Sequence, residues 1–170
     1  HLPESLLADA LHAARGIEIE SHRAEALAAL APHLPEEEWP QVLAQALAAA
    51  RSIRNEDDRA RALAALAPHL PESLLADALH AARSIRDEDD RARALAALAP
   101  HLAQLSCATL YSLWAGDNDS EGTLAFLAQR TRRDLLSDLR ALQEVILALG
   151  GEAAVAETAR AIMDVGRWWP

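Results

Sequence analysis

The sequence predicts an all-α protein, an α-solenoid of stacked two-helix repeats of about 32–36 residues each, followed by a divergent helical C-terminal cap. Three observations carry that expectation. Forty of the 170 residues are alanine and twenty-nine are leucine, both strong helix formers, while β-branched and aromatic clusters are short. Only six glycines and eight prolines are available to break helices. Finally, the segment HLPESLLADALHAAR at 1–15 recurs letter for letter at 69–83, a self-similarity that marks repeat architectures.

The repeats divide the chain. Residues 1–32 and 69–100 are identical at 26 of 32 positions, differing at Gly16/Ser84, Glu18/Arg86, Ile19/Asp87, Ser21/Asp89, His22/Asp90 and Glu25/Arg93. A middle copy, 33–68, matches the third at 23 of 27 positions over 42–68 and carries four extra residues in its opening, HLPEEEWPQ. The boundaries are therefore 1–32, 33–68 and 69–100 for the three copies and 101–170 for the cap.

Each copy reads as two helices. In the third, Pro71 is placed at the first helical position and Glu72 faces the helix dipole. Leu74, Leu75, Ala78, Leu79, Ala82 and Ile85 follow at three- and four-residue spacing, opposite a polar stripe of Ser73, Asp77, His80 and Ser84. Asp87 caps the second helix, which runs through Ala92, Leu95 and Leu98 to a stop near Pro100. Asp87 with Arg91, Asp89 with Arg93, Asn55 with Arg59 and Asp57 with Arg61 stand four apart with the acid or amide first, the favourable order for a charged pair. In the middle copy Pro40 implies a short turn at 35–39 and a helix beginning there. One two-helix unit cannot bury both apolar faces, but stacked copies can. Alanines 92, 94, 96, 97 and 99 imply close helix approach, near the low end of the usual spacing.

Beyond residue 100 the pattern changes. A helix is expected over Ala103–Ala115, ended by Gly116. The polar loop Asp117-Asn118-Asp119-Ser120 is placed to cap a helix at about 120–130. Thr131 and Asp134 cap a further stretch to Leu149 with a break near 141, and Gly150-Gly151 precede a last helix over about 152–165, ended by Gly166. Five of the six aromatics lie here, as suits a unit that closes a core on one side.

Charge narrows the function classes. Sixteen basic residues, all arginine, against twenty-six acidic ones give a net charge of −10, which repels nucleic acid and anionic membrane surfaces. The single cysteine, Cys107, cannot form an internal disulfide and reads as a buried small hydrophobe, and no apolar run is long enough to span a bilayer. A cytoplasmic protein is expected, and His1 at the start reads as the edge of a piece of a longer chain.

No enzyme is expected. The recurring histidines His1, His33, His69 and His101, with His12 and His80, do not suit a shared metal. Stacked equivalents lie on the order of 10 Å apart, whereas zinc ligands sit about 2 Å from their ion. The acidic runs at 56–58 and 87–90 lack a calcium loop and read as helix starts. There is no phosphate loop or nucleophile elbow, so no cofactor is expected. Arg130, Arg132 and Arg133 read as partners of Asp134, Asp138 or a helix end, and Trp168-Trp169 as packed against the cap.

What remains is the repeat-built surface. Polar stripes on the first helices line up as Ser5, Asp9, His12; Gln41, Gln45, Ala48; and Ser73, Asp77, His80. Asp9, His12, Gln45, Asp77 and His80 are the candidate partner-binding residues, with Trp39, the one aromatic inside the repeats, as a contact anchor. The expected partner is a protein or peptide effector. The alternative is a structural spacer with no dedicated ligand. Self-association through an apolar face of the first helix is a further expectation.

The unit LPESLLADALHAARSIRDEDDRARALAALAPHL, followed by RRDLLSDLRAL and LGGEAAVAETARAIMDVGRWWP, resembles the C-terminal repeat region of bacterial signal-transduction NTPases of the STAND class, which carry a NACHT or NB-ARC module upstream. The resemblance covers nearly the whole chain, and DVGRWWP is its most specific part. It implies tetratricopeptide-like repeats that sense a ligand or partner and release an autoinhibited NTPase to oligomerise. No Walker motif occurs here, and the units are shorter than the 34-residue tetratricopeptide repeat. Leu75-Ala76 stands where that motif has Leu-Gly, so its peptide-binding residues do not transfer.

Overall fold

The computed structural model describes the backbone of residues 4–116 and 122–168, with side chains from 6 to 164 within those spans. Its regular structure is helical: α1 (Glu4–Arg15), α2 (Glu20–Leu30), α3 (Trp39–Ser52), α4 (Glu56–Leu66), α5 (Glu72–Arg83), α6 (Glu88–Leu102), α7 (Cys107–Ala115), α8 (Thr123–Ala128), α9 (Arg132–Ala141) and α10 (Gln143–Trp168), with one-turn 3₁₀ segments at Ala31–His33 and Ala67–His69. The chain separates into two units, residues 1–98 and 99–170. Among the described residues no helix is long and apolar enough to cross a membrane.

In the first unit the apolar stripes read from the sequence form the core. α2 packs on α1, α3 and α4, and α3 packs on α4 and α5. Equivalent residues of the three copies are buried alike: Leu27, Leu63 and Leu95 are at most 1% exposed, and Ala50 and Ala82 are fully buried. A fully buried leucine contributes about 1.5–3 kcal/mol relative to an exposed one, while alanine adds little area but lets helices approach. Of the alanines expected at close crossings, Ala94 and Ala99 are buried, whereas Ala96 is exposed and Ala92 and Ala97 are half-buried.

Local chemistry sets the helix starts. Asn55 accepts from the Asp58 N–H at 3.0 Å and Asp87 from the Asp90 N–H at 3.1 Å, as their positions imply. The first copy has Ile19 at that place, with no side-chain cap and 55% exposed. Pro71 lies one residue outside its helix, at the N-cap rather than at the first helical position. The turn at 36–38 and the start at Trp39-Pro40 follow the expectation within a residue.

The second helix of the third copy does not stop at Pro100. α6 continues to Leu102 with Pro100 inside it, so the helix expected over Ala103–Ala115 is instead a turn followed by α7, capped by Ser106. The reason lies two residues after the histidine. At the first two junctions Pro35 and Pro71 follow Leu34 and Leu70, which are held extended at ψ 164° and 126°, because the residue before proline avoids the helical region. At the third junction Ala103 replaces proline, and its N–H bonds the Ala99 carbonyl at 2.9 Å.

Among the described residues one arginine is buried. Arg91, placed in the sequence reading as the partner of Asp87, is fully buried, and its Nη1 donates to the carbonyls of Ile85 and Arg86 at 3.2 and 3.0 Å. Its equivalent Arg23 donates to Ile17 O at 2.9 Å. Each thereby ties its second helix back to the turn that precedes it.

In the second unit, α7 packs on α8 and α10, and α9 on α8 and α10. Thr131 caps α9 through the Asp134 N–H, Gly116 ends α7, and α9 ends at Ala141, all as expected. Gly122 allows close approach, since a Cβ there would lie 2.3 Å from the Ala115 carbonyl carbon. Gly150 and Gly151 break α10 into two arms, with Gly151 at φ +66°, a backbone region that other residues rarely adopt. Gly166 lies inside the second arm, which continues to Trp168 rather than ending there. Phe126 is buried, but Tyr111 is 65% exposed and does not close the core. Cys107 is exposed at the start of α7, because the turn at 103–106 moves it off the apolar face. The loop at Asp117–Ser120, His1 and the side chains of Trp168 and Trp169 lie outside the described residues.

Restoring the missing cap with Ile19→Asp is expected to raise stability by about 0.5–1 kcal/mol, and Asn55→Ala to lower it by about 1 kcal/mol. Urea denaturation of both variants beside the parent chain checks this. A neutral or destabilising Ile19→Asp would show that Ile19 is held by contacts other than the cap.

Candidate partner-binding surface

Of the six residues singled out in the sequence, Asp9, His12, Asp77 and His80 are exposed and Trp39 and Gln45 are half-buried. The two half-buried side chains are bonded. The Trp39 indole Nε1 donates to Leu34 O at 2.9 Å, so its polar edge pins the connection into α3. Gln45 Oε1 accepts from Arg15 Nε at 2.8 Å, linking the end of α1 to the middle of α3.

Around that bond lies a groove of about 420 Å³, lined by Arg15, Arg23, Leu27, Gln45, Ala48 and Ala49. It contains two guanidiniums and an amide over an apolar floor. Arginine offers a fixed fork of donors suited to a carboxylate, and Leu27 and Ala49 accept an adjoining apolar group. Arg23 is held from behind by the Ile17 carbonyl, which fixes its position.

Arg15 and Arg23 were not legible as site residues. Arg15 belongs to the segment that is identical in the third copy, and its role depends on Gln45, thirty positions away. Nothing in the local pattern separates it from Arg83.

A charged network joins the second and third copies. Glu56 Oε2 accepts from the Arg86 and Asp87 N–H groups at 3.2 and 2.8 Å. Asp57 binds Arg61 in the i,i+4 pair expected from the sequence, and also Arg93 of the next copy at 2.6 Å. Arg93 reaches Asp90 at 3.0 Å as well. The first copy has Ser21 in place of Asp57, so this bridge has no counterpart one junction earlier.

Bonds from Arg61 and Arg93 hold the Asp57 carboxyl below the ordinary carboxylate range, and Asp57 in turn raises the Arg61 guanidinium. Asp90 is pushed up, first by desolvation and then by Asp87 and Asp57. The two carboxylates thus act in opposite directions on stability.

Among the described residues no group of three His, Cys, Asp or Glu side chains is arranged to hold a metal ion. No family model, curated protein or solved structure matches the chain.

The pKa directions give a pH prediction. A lowered folded pKa stabilises above the ordinary carboxylate value, about 3.9, and that stability is lost as pH falls through the lowered value. Asp57→Asn is therefore expected to cost stability at pH 7 and to cost nothing once the parent carboxyl is protonated. For Asp90 the raised pKa reverses the sign: Asp90→Asn gains stability at pH 7, and the gain fades as acid protonates the parent. Denaturation midpoints from pH 7 down to about pH 2, below the ordinary carboxylate value, test both, and equal pH profiles for the two variants would contradict the assignment.

Proposed function

We propose that this chain is a non-enzymatic interaction module, an α-solenoid that senses a partner as one arm of a larger signalling NTPase of the STAND class. The observation that carries the reading is the groove at Arg15, Arg23 and Gln45. It is a concave site built from two adjacent copies, with cationic forks over an apolar floor. It suits a peptide or protein effector that presents a carboxylate beside a small apolar side chain. Contact of α2 with α3 and of α4 with α5 supports the stacked-repeat reading, since stacked units bury their faces against neighbouring copies.

A second copy of the chain is the other partner that an observation favours. On α1, Leu6 is 50% exposed and Ala13 is exposed. Their equivalents on α3, Val42 and Ala49, are 1% and 4% exposed, in a helix packed against the preceding copy. An apolar face covered in one copy and open in another is a surface for self-association.

In the full-length parent, Arg15→Glu with Gln45→Ala is expected to abolish effector-triggered oligomerisation without changing the fold of the arm. A spacer would keep the response, so an unchanged response overturns the sensing reading. For self-association, light-scattering mass is expected to rise with concentration and to stay monomeric in Leu6→Glu. A constant monomer mass for the parent chain sinks that proposal.

A further inference from the structure

The second unit contains apolar space that the repeat surface does not use. A cavity of about 620 Å³ runs beside Tyr111, Trp114, Leu127 and Leu149 to the facing walls of α9 and the second arm of α10. Two smaller ones, of about 200 and 230 Å³, adjoin it. Leu139 and Thr158 line all three, so the three spaces adjoin along these two residues. The largest cavity alone is within the range of small-molecule sites, about 300–1,000 Å³.

Leu139, Val155 and Ile162 remain half-exposed along this seam, and Leu136 is exposed. α9 and the second arm therefore meet without filling the space between them, because the break at Gly150-Gly151 redirects the arm. The walls are hydrocarbon almost throughout. Thr158 Oγ1 donates to the Ala154 carbonyl at 2.8 Å, so its proton is engaged within its own helix. At one mouth stand Arg140 and Gln143, both exposed and both hydrogen-bond donors.

We propose that this space binds a long-chain alkyl carboxylate, its chain bent around Leu139 and Thr158 and its carboxylate at Arg140 and Gln143. The division of the space into three adjoining parts beside Leu139 and Thr158 selects the occupant. A flexible alkyl chain follows it, whereas a helix of another protein, 10 Å or so across, cannot lie on both sides of Leu139. The arginine at the mouth selects the charge, since guanidinium pairs with carboxylate. The site shares no residue with the groove at Arg15, Arg23 and Gln45, so either reading can fail alone.

Calorimetric titration of the full chain with laurate, below micelle-forming concentration, is the test. Saturable binding at one site is expected, at least tenfold tighter than for hexanoate or for the cationic dodecyltrimethylammonium. Ala161→Trp, which fills the cavity from an exposed position, should weaken laurate at least tenfold. Ala156→Trp, exposed on the same arm and lining none of the cavities, should leave it unchanged, with helicity by circular dichroism equal in both. Arg140→Glu should remove the preference for laurate over the cationic chain. Non-saturable binding, equal affinity in the two tryptophan variants, or a charge preference that survives Arg140→Glu would each overturn the proposal.

Discussion

The burial of alanine along the packed helices is the constraint on which the first unit depends. Ala46, Ala60, Ala78 and Ala94 are fully buried. With so little side chain at a buried alanine, two helices can approach near the low end of the usual 8–10 Å spacing. Leucines at equivalent positions then fill the space beside each crossing. A larger residue at a crossing would separate two helices and leave those leucines partly exposed, which is why small and large residues recur with the unit and not at random.

Close packing also explains the buried arginine. Arg91 has no room for water to solvate it, and its guanidinium instead meets the carbonyls of the turn before α6. Those carbonyls sit where the chain leaves one helix and has not yet begun the next, so they need donors from elsewhere. Arg23 makes the same bond to Ile17 in the first copy. The arginine is thus part of the repeat's structure, beyond the i,i+4 pair with Asp87 that its spacing implies.

The differences between the first and third copies gather at one place, the turn and the start of the second helix. There the first copy loses its cap at Ile19 and the carboxylate equivalent to Asp57. The second and third copies instead share the Glu56, Asp57 and Arg93 network. Near-identical sequences therefore make unlike junctions, because a junction takes one residue from each copy and changes when either one does.

The sequence by itself determined the helical class, most helix starts and the apolar stripes, because spacing, caps and prolines act within a few residues. It also located the Gly150-Gly151 break and the Asp57 to Arg61 pair. Only the tertiary structure decided where α6 ends in its own register, that Arg91 turns inward, that Cys107 and Tyr111 are exposed, and that Arg15 meets Gln45. It alone shows that α9 and the last arm leave apolar space between them. These outcomes depend on which surfaces distant segments present to one another, and periodicity within a single helix carries no information about the partner across it.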